Sequence, residues 1–263
     1  MTDHDNQESD AQAQLGMDIL RRHFRRYERV AERAESLSVT AGSSLAGDRD
    51  AATYNPVPDV VRNILGVALD HLHALVVSVE QSNGMILAMS SFTLIRTAYE
   101  AAGTGLWLLQ PQSRDERLMR SMRLTYDNRR QVRSVQTGLG KTDPGFERML
   151  GRLREQMDAR DGLRGKPLKP MTSVTDRLTS VAELVPKLIF PPLALWQMAS
   201  GVAHGNSSMM IAVLERKQVG PSDGTSADYN VTSSVVTIAL FYAAALDMIE
   251  ALFDLYDARN TAP

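Results

Sequence analysis

Residues 84–109 read GMILAMSSFTLIRTAYEAAGTGLWLL, an apolar run interrupted only by Arg96 and Glu100 among charged residues. Nearly half of it is Gly, Ala, Ser or Thr, side chains small enough to let neighbouring backbones approach closely. A helix apolar on every side is a buried helix. A bilayer span has similar length, but a charge near the bilayer centre costs about 2.5 kcal/mol or more. The run is therefore read as the central helix of a bundle. Gln110-Pro111 ends it, because the residue before a proline is driven out of the helical region.

Helical periods extend from this segment in both directions. Residues 10–37 place Leu15, Ile19, Phe24, Tyr27, Val30 and Ala34 close to one stripe, with Arg and Glu on the other face. The small, polar residues 39–55 read as a loop. Pro56 and Pro58 then open a helix to Ser82 whose inward positions are Val60, Ile64, Val67, Leu72, Leu75 and Val79. Beyond Pro111, a helix is expected over Ser113–Thr137, with Ser113 and Glu116 as a capping box, and another over Pro144–Ala159. Residues 161–172 read as a basic loop, and shorter helices as Ser173–Leu184 and Pro192–His204. Gly205-Asn206 reads as a left-handed stop. Met209–Gln218 fits a brief strand or a helical turn, 221–228 a loop, and Val231–Tyr256 a final helix. Its start overlaps Tyr229–Leu246, an uncharged stretch whose Asn230, Thr232, Ser233, Ser234 and Thr237 argue for burial in a bundle rather than in lipid. The class is all-α: one bundle of about six to eight helices over 11–258, with a small β-hairpin within 207–230. Residues 1–10 and 259–263 are expected to be disordered.

The 263 residues include 29 Lys plus Arg, 31 Asp plus Glu and no Cys, so disulfides, thiolate nucleophiles and Cys-based metal sites are excluded. A cytoplasmic protein with no cofactor and no membrane association is expected. The near-zero net charge hides polarity: residues 111–170 carry 15 basic and 8 acidic side chains, whereas the first twenty carry five acids and no Lys or Arg. Arg117, Arg120, Arg123, Arg129, Arg130 and Arg133 share one predicted helix. Spread over its solvent face they would suit a nucleic-acid backbone. The alternative is a solvated face balanced internally, with Asp127 placed to pair with Arg123 and Arg130.

Two polar constellations lie in apolar helices. Arg96 and Glu100 are one turn apart, a costly placement unless the charges are paired. Trp196, Ser200 and His204 recur at the same spacing and share a face, with His204 at the C-terminal end where the dipole favours imidazolium. No G-x-S-x-G elbow surrounds Ser200. Asp70 and His73 resemble half of a di-iron motif without its second copy, so no metal is expected.

R-x-x-x-E in a buried helix followed by S-x-x-x-H-G resembles bacterial, notably actinobacterial, helical proteins distantly related to the HEPN superfamily. The residues that carry the resemblance are Arg96, Glu100, Trp107, Pro111, Ser200, His204 and Gly205, within Val60–Tyr256. The resemblance implies a helical bundle that dimerises and, in many members, metal-independent ribonuclease activity. Its catalytic motif sets an arginine a few residues before a histidine. Here His204 matches, but Gln197, Met198 and Ala199 stand where the arginine would, leaving Arg96 to supply the cation from a neighbouring helix. Two functions follow as expectations. One is a non-catalytic protein, a homodimer, that binds a protein partner or small ligand in a polar pocket. The other is a HEPN-like ribonuclease of a toxin or defence system, with Arg96, Glu100, Ser200 and His204 as catalytic candidates and RNA on the arginine-rich helix.

Overall fold

The computed structural model describes residues 6–220 and 228–262. Its elements are α1 (Asp10–Glu35), α2 (Ser44–Ala51), α3 (Val57–Gln81), α4 (Ala88–Leu109), α5 (Arg114–Gly138), α6 (Pro144–Asp158) and α7 (Val174–Ser180). A 3₁₀ turn (Ala182–Leu184), α8 (Pro192–Ala203), α9 (Ser207–Val213), strands β1 (Glu215–Val219) and β2 (Asp228–Thr232), and α10 (Val235–Asn260) complete it. The class is all-α with a small antiparallel hairpin, in which Glu215 lies opposite Thr232 and Val219 opposite Asp228. The loop expected over 221–228 lies, apart from Asp228, outside the described residues.

Helix α4 is central, packed against α3, α7, α8 and α10. Its small residues make this possible. A methyl group on Gly103 would come within 2.4 Å of the Leu178 side chain on α7, and one on Gly105 within 2.5 Å of Leu252 on α10. Asn83 and Gly84 both have positive φ and end α3, so α4 begins at Ala88 rather than Gly84. By length and hydropathy α3 and α10 could each cross a membrane. Within the bundle α10 buries Ile238, Tyr242, Leu246, Ile249 and Phe253 against its neighbours.

The carbonyl end of α4 is held by three guanidinium groups. Arg117 donates to Pro111 O (2.9 Å) and Gln112 O (2.8 Å), Arg120 donates to Trp107 O, and Arg259 donates to Leu109 O (3.3 Å) and Gln110 O (3.1 Å). Cations at this end satisfy orphan carbonyls and complement the helix dipole.

Several sequence expectations are corrected. Residues 39–55 contain α2: Ser43 caps it by accepting from the Ala46 amide (3.0 Å), and Leu45, Ala46 and Asp48 are buried. Ser113 precedes α5 without a side-chain cap, and Glu116 bonds Arg120 (3.1 Å) rather than the Ser113 amide, so the expected capping box is absent. Leu15 and Val67 are exposed. Gly16 occupies the inward position near Leu15, where a methyl group would lie 2.6 Å from Val236 N of α10.

Of the termini expected to be disordered, residues 1–5 and 263 lie outside the described residues, and the neighbouring ones make defined contacts. Asn6 bridges to Arg216 of β1, and the Glu8 carboxylate accepts from the Val235 and Val236 amides (2.8 and 3.1 Å) and from Ser234 Oγ (2.9 Å). Glu8 thus caps α10 from more than two hundred residues away. Burial raises the pKa of Glu215, whose carboxylate accepts from the Glu8 amide (2.7 Å). Asn260 bonds the 38–40 segment through Ser38 O (2.9 Å) and Thr40 N (2.8 Å), so α10 is anchored to its last turn.

Candidate functional site

Arg96 and Glu100 occupy successive turns of α4, and Trp196 and Ser200 successive turns of α8. Because these helices pack side by side, the two pairs meet. Arg96 Nε donates to Ser200 Oγ at 3.2 Å, and the guanidinium lies over the Trp196 ring, 5.2 Å from its centroid. Glu100 Oε2 accepts from Trp196 Nε1 at 3.3 Å and lies 3.6 Å from Arg96 Nη2. Arg96, Glu100 and Trp196 therefore close a ring of polar contacts on a partly open face, with Ser200 attached to it through Arg96. The Arg96 and Glu100 side chains retain 24% and 33% exposure.

A second cation stands behind this ring. Arg177 of α7 keeps only 4% side-chain exposure, and its Nη2 is 4.0 Å from Glu100 Oε1. Its Nη1 donates to Thr172 O (2.5 Å), while its buried Nε has no hydrogen-bond partner. Burial pulls its pKa below the usual arginine range, opposed by Glu100, Asp127 and Asp176. The guanidinium stays charged at neutral pH. Two guanidiniums thus share one carboxylate in a partly desolvated setting, where charge is worth more than in water.

His204 follows α8 as its C-cap and is exposed. It is one turn beyond Ser200, but among the described residues its side chain has no hydrogen bond or ion pair. The structure brings Arg96, Glu100 and Ser200 together and leaves His204 exposed, with no side-chain bond to any of them. Arg177 was not legible as a site residue, since nothing in a short helix between proline-rich turns marks an arginine for burial. His73 stacks on Tyr27 with centroids 5.8 Å apart. Among the described residues no group of three or more His, Cys, Asp or Glu could hold a metal.

Of the six arginines expected on the solvent face of α5, Arg130 and Arg133 are exposed, Arg120, Arg123 and Arg129 are partly buried, and Arg117 is buried. Arg117 is 1% exposed and uses all its donors: Nε and Nη2 bind Asp48 (2.7 and 2.8 Å), Nη2 also binds Ser44 Oγ (2.7 Å), and Nη1 binds the two α4-end carbonyls. Arg117 is thus a core residue, because α2 brings a buried carboxylate to it. Arg120 lies over Trp107, 4.9 Å from the ring centroid, and the buried Nε of Arg123 lacks a partner. Arg129 pairs with Asp143, Arg130 with Asp127 (2.8 Å), and Arg133 with Glu147 (3.5 Å) over the Phe146 ring. Most of the positive charge on α5 is answered within the molecule.

No family model, no curated protein and no solved structure matches this chain.

Proposed function

We propose that this is a non-catalytic binding protein whose recognition site is the Arg96–Glu100–Trp196 ring with its attached Ser200, and Arg177 behind it. Its ligand carries an anionic group. The observation that carries this reading is the surplus guanidinium: Arg177 is almost wholly buried, shares Glu100 with Arg96 and has an Nε without an acceptor. Buried polar groups are ordinarily satisfied, and an exception signals a role or a missing partner. Arg96 already engages both Glu100 and Ser200, which suits a recognition surface better than a waiting nucleophile and base.

Native mass spectrometry of the purified protein and thermal-shift titrations with inorganic phosphate and acetate test the reading. A retained small-molecule mass, or an anion-dependent rise in Tm lost in Arg96→Gln, supports it. Empty protein with no anion response in any titration overturns it.

A second reading, a HEPN-like metal-independent ribonuclease, draws on the position of His204 one turn from Ser200, itself bonded to Arg96. There His204 would act as general acid–base and Arg96 would stabilise the developing phosphorane charge. RNA cleavage in EDTA that His204→Ala abolishes would establish it and displace the first reading.

A further inference from the structure

The buried residues of α5 stop at Asp127, yet the helix continues to Gly138. About 16 Å of it, with the turn that follows, thus projects past the core. From Gln131 to Thr142 every residue except Gln136 is exposed. Leu118, Thr125, Val132 and Leu139 recur two helical turns apart, so they fall close to one face. Its first two members are buried. Val132 and Leu139 are 42% and 64% exposed, and Val135, also near that face, is 62% exposed. The core-facing stripe of α5 therefore runs on beyond the bundle and stays largely exposed among the described residues. Helix α6 supports only the side of this overhang where Arg133 lies over Phe146.

The charge around the stripe is predominantly basic. Between Asn128 and Arg154 there are seven basic residues and two acidic ones, Asp143 and Glu147. Both acids are already used, by Arg129 and Arg133. Lys141 and Arg148 have no carboxylate partner among the described residues. A second copy of this chain would bring one basic tip against another, a like-charge juxtaposition that opposes association. A nucleic acid would find no exposed aromatic platform, since Phe146 is buried and Tyr126 is partly buried against it. A bilayer calls for a broad apolar face, whereas this stripe is a narrow seam of the kind that receives another helix.

We infer that the overhanging end of α5 is a docking surface for an acidic amphipathic helix of a protein partner. The partner's apolar ridge lies on Val132, Val135 and Leu139, and its carboxylates face Lys141 and Arg148. This surface is separate from the Arg96 ring and does not depend on it.

Fluorescence anisotropy with a labelled synthetic helix, leucine along one seam and glutamate elsewhere, tests the proposal. Saturable binding is expected, weakened by about tenfold or more in Val135→Ser/Leu139→Ser. Arg148→Glu should slow association and flatten its salt dependence. A matched peptide with lysine in place of glutamate should not bind. All three positions are exposed, so the variants keep the wild-type melting temperature, which is checked in parallel. Absent binding, equal binding by the lysine peptide, or indifference to the serine variant overturns the inference. So does light scattering that shows a dimer dispersed by the serine variant. The same holds if this variant abolishes binding to anionic phosphatidylserine vesicles or single-stranded RNA while the acidic peptide fails to bind.

Discussion

Asp48 is fully buried and bound by both Arg117 and Arg114, the latter at 3.2 Å. With its partner removed, a buried charge costs far more than the pair contributes when intact. Arg117→Ala should therefore destabilise the protein by about 3–5 kcal/mol. The double variant Asp48→Leu/Arg117→Met should recover much of that loss. Urea unfolding of both gives the comparison; an Arg117→Ala variant as stable as wild type contradicts the assigned pairing. This pair shows where residue-level reading of the sequence fails. Arg117 looks like its neighbours in a basic helix, and Asp48 lies in a stretch of small polar residues. Only the fold makes them core residues. The Arg96–Glu100 pair was legible for the opposite reason, because charges inside an apolar run stand out without any tertiary knowledge.

At the scale of elements, α1 and α10 are joined by ion pairs and by a long-range cap. Arg26 binds Glu250 through Nε and Nη2 (both 2.7 Å) and Asp247 through Nη2 (2.5 Å). The hydrogen bond from Arg26 holds the Glu250 carboxyl below the usual carboxylate range. A depressed pKa means stability that is present above the unfolded-state value and lost as pH falls through the folded one. Glu250→Gln should thus be less stable than wild type at neutral pH, with the difference vanishing in acid. Equal stability at neutral pH would contradict the pairing. Glu8→Ala removes the acceptor at the start of α10 and should cost about 1 kcal/mol, read as a lowered urea midpoint. The periodicities of α1, α3, α4, α5, α6, α8 and α10 were legible, as was the proline and glycine punctuation between them. Helix α2 was not, since its eight residues owe their helicity to the Ser43 cap and the Asp48 pairing rather than to a local period. A cap supplied by Glu8 to Val235 is likewise invisible to any local reading.

Across the whole molecule one continuous core joins α1, α3, α4, α8 and α10, while the far end of α5 stands outside it. Amide exchange should reflect this division. Amides of residues 131–138 should exchange fastest among the helical segments, and those of α4 from Phe92 to Leu108 slowest. Comparable protection in both would mean that the overhang is covered in solution. The all-α class was legible because helical periods dominate the chain. The neighbours of each helix were not, and the meeting of α4 with α8 that forms the Arg96 ring depends entirely on them.

The packing of α1 against α10 also bears on how the chain is made. Leu20, Phe24, Tyr27 and Val30 leave the ribosome well before α10, yet part of their cover belongs to that helix. At about 5–20 residues per second, that face waits for more than two hundred further residues to be added. During this interval an unsatisfied apolar stripe is open to chaperones and to neighbouring nascent chains.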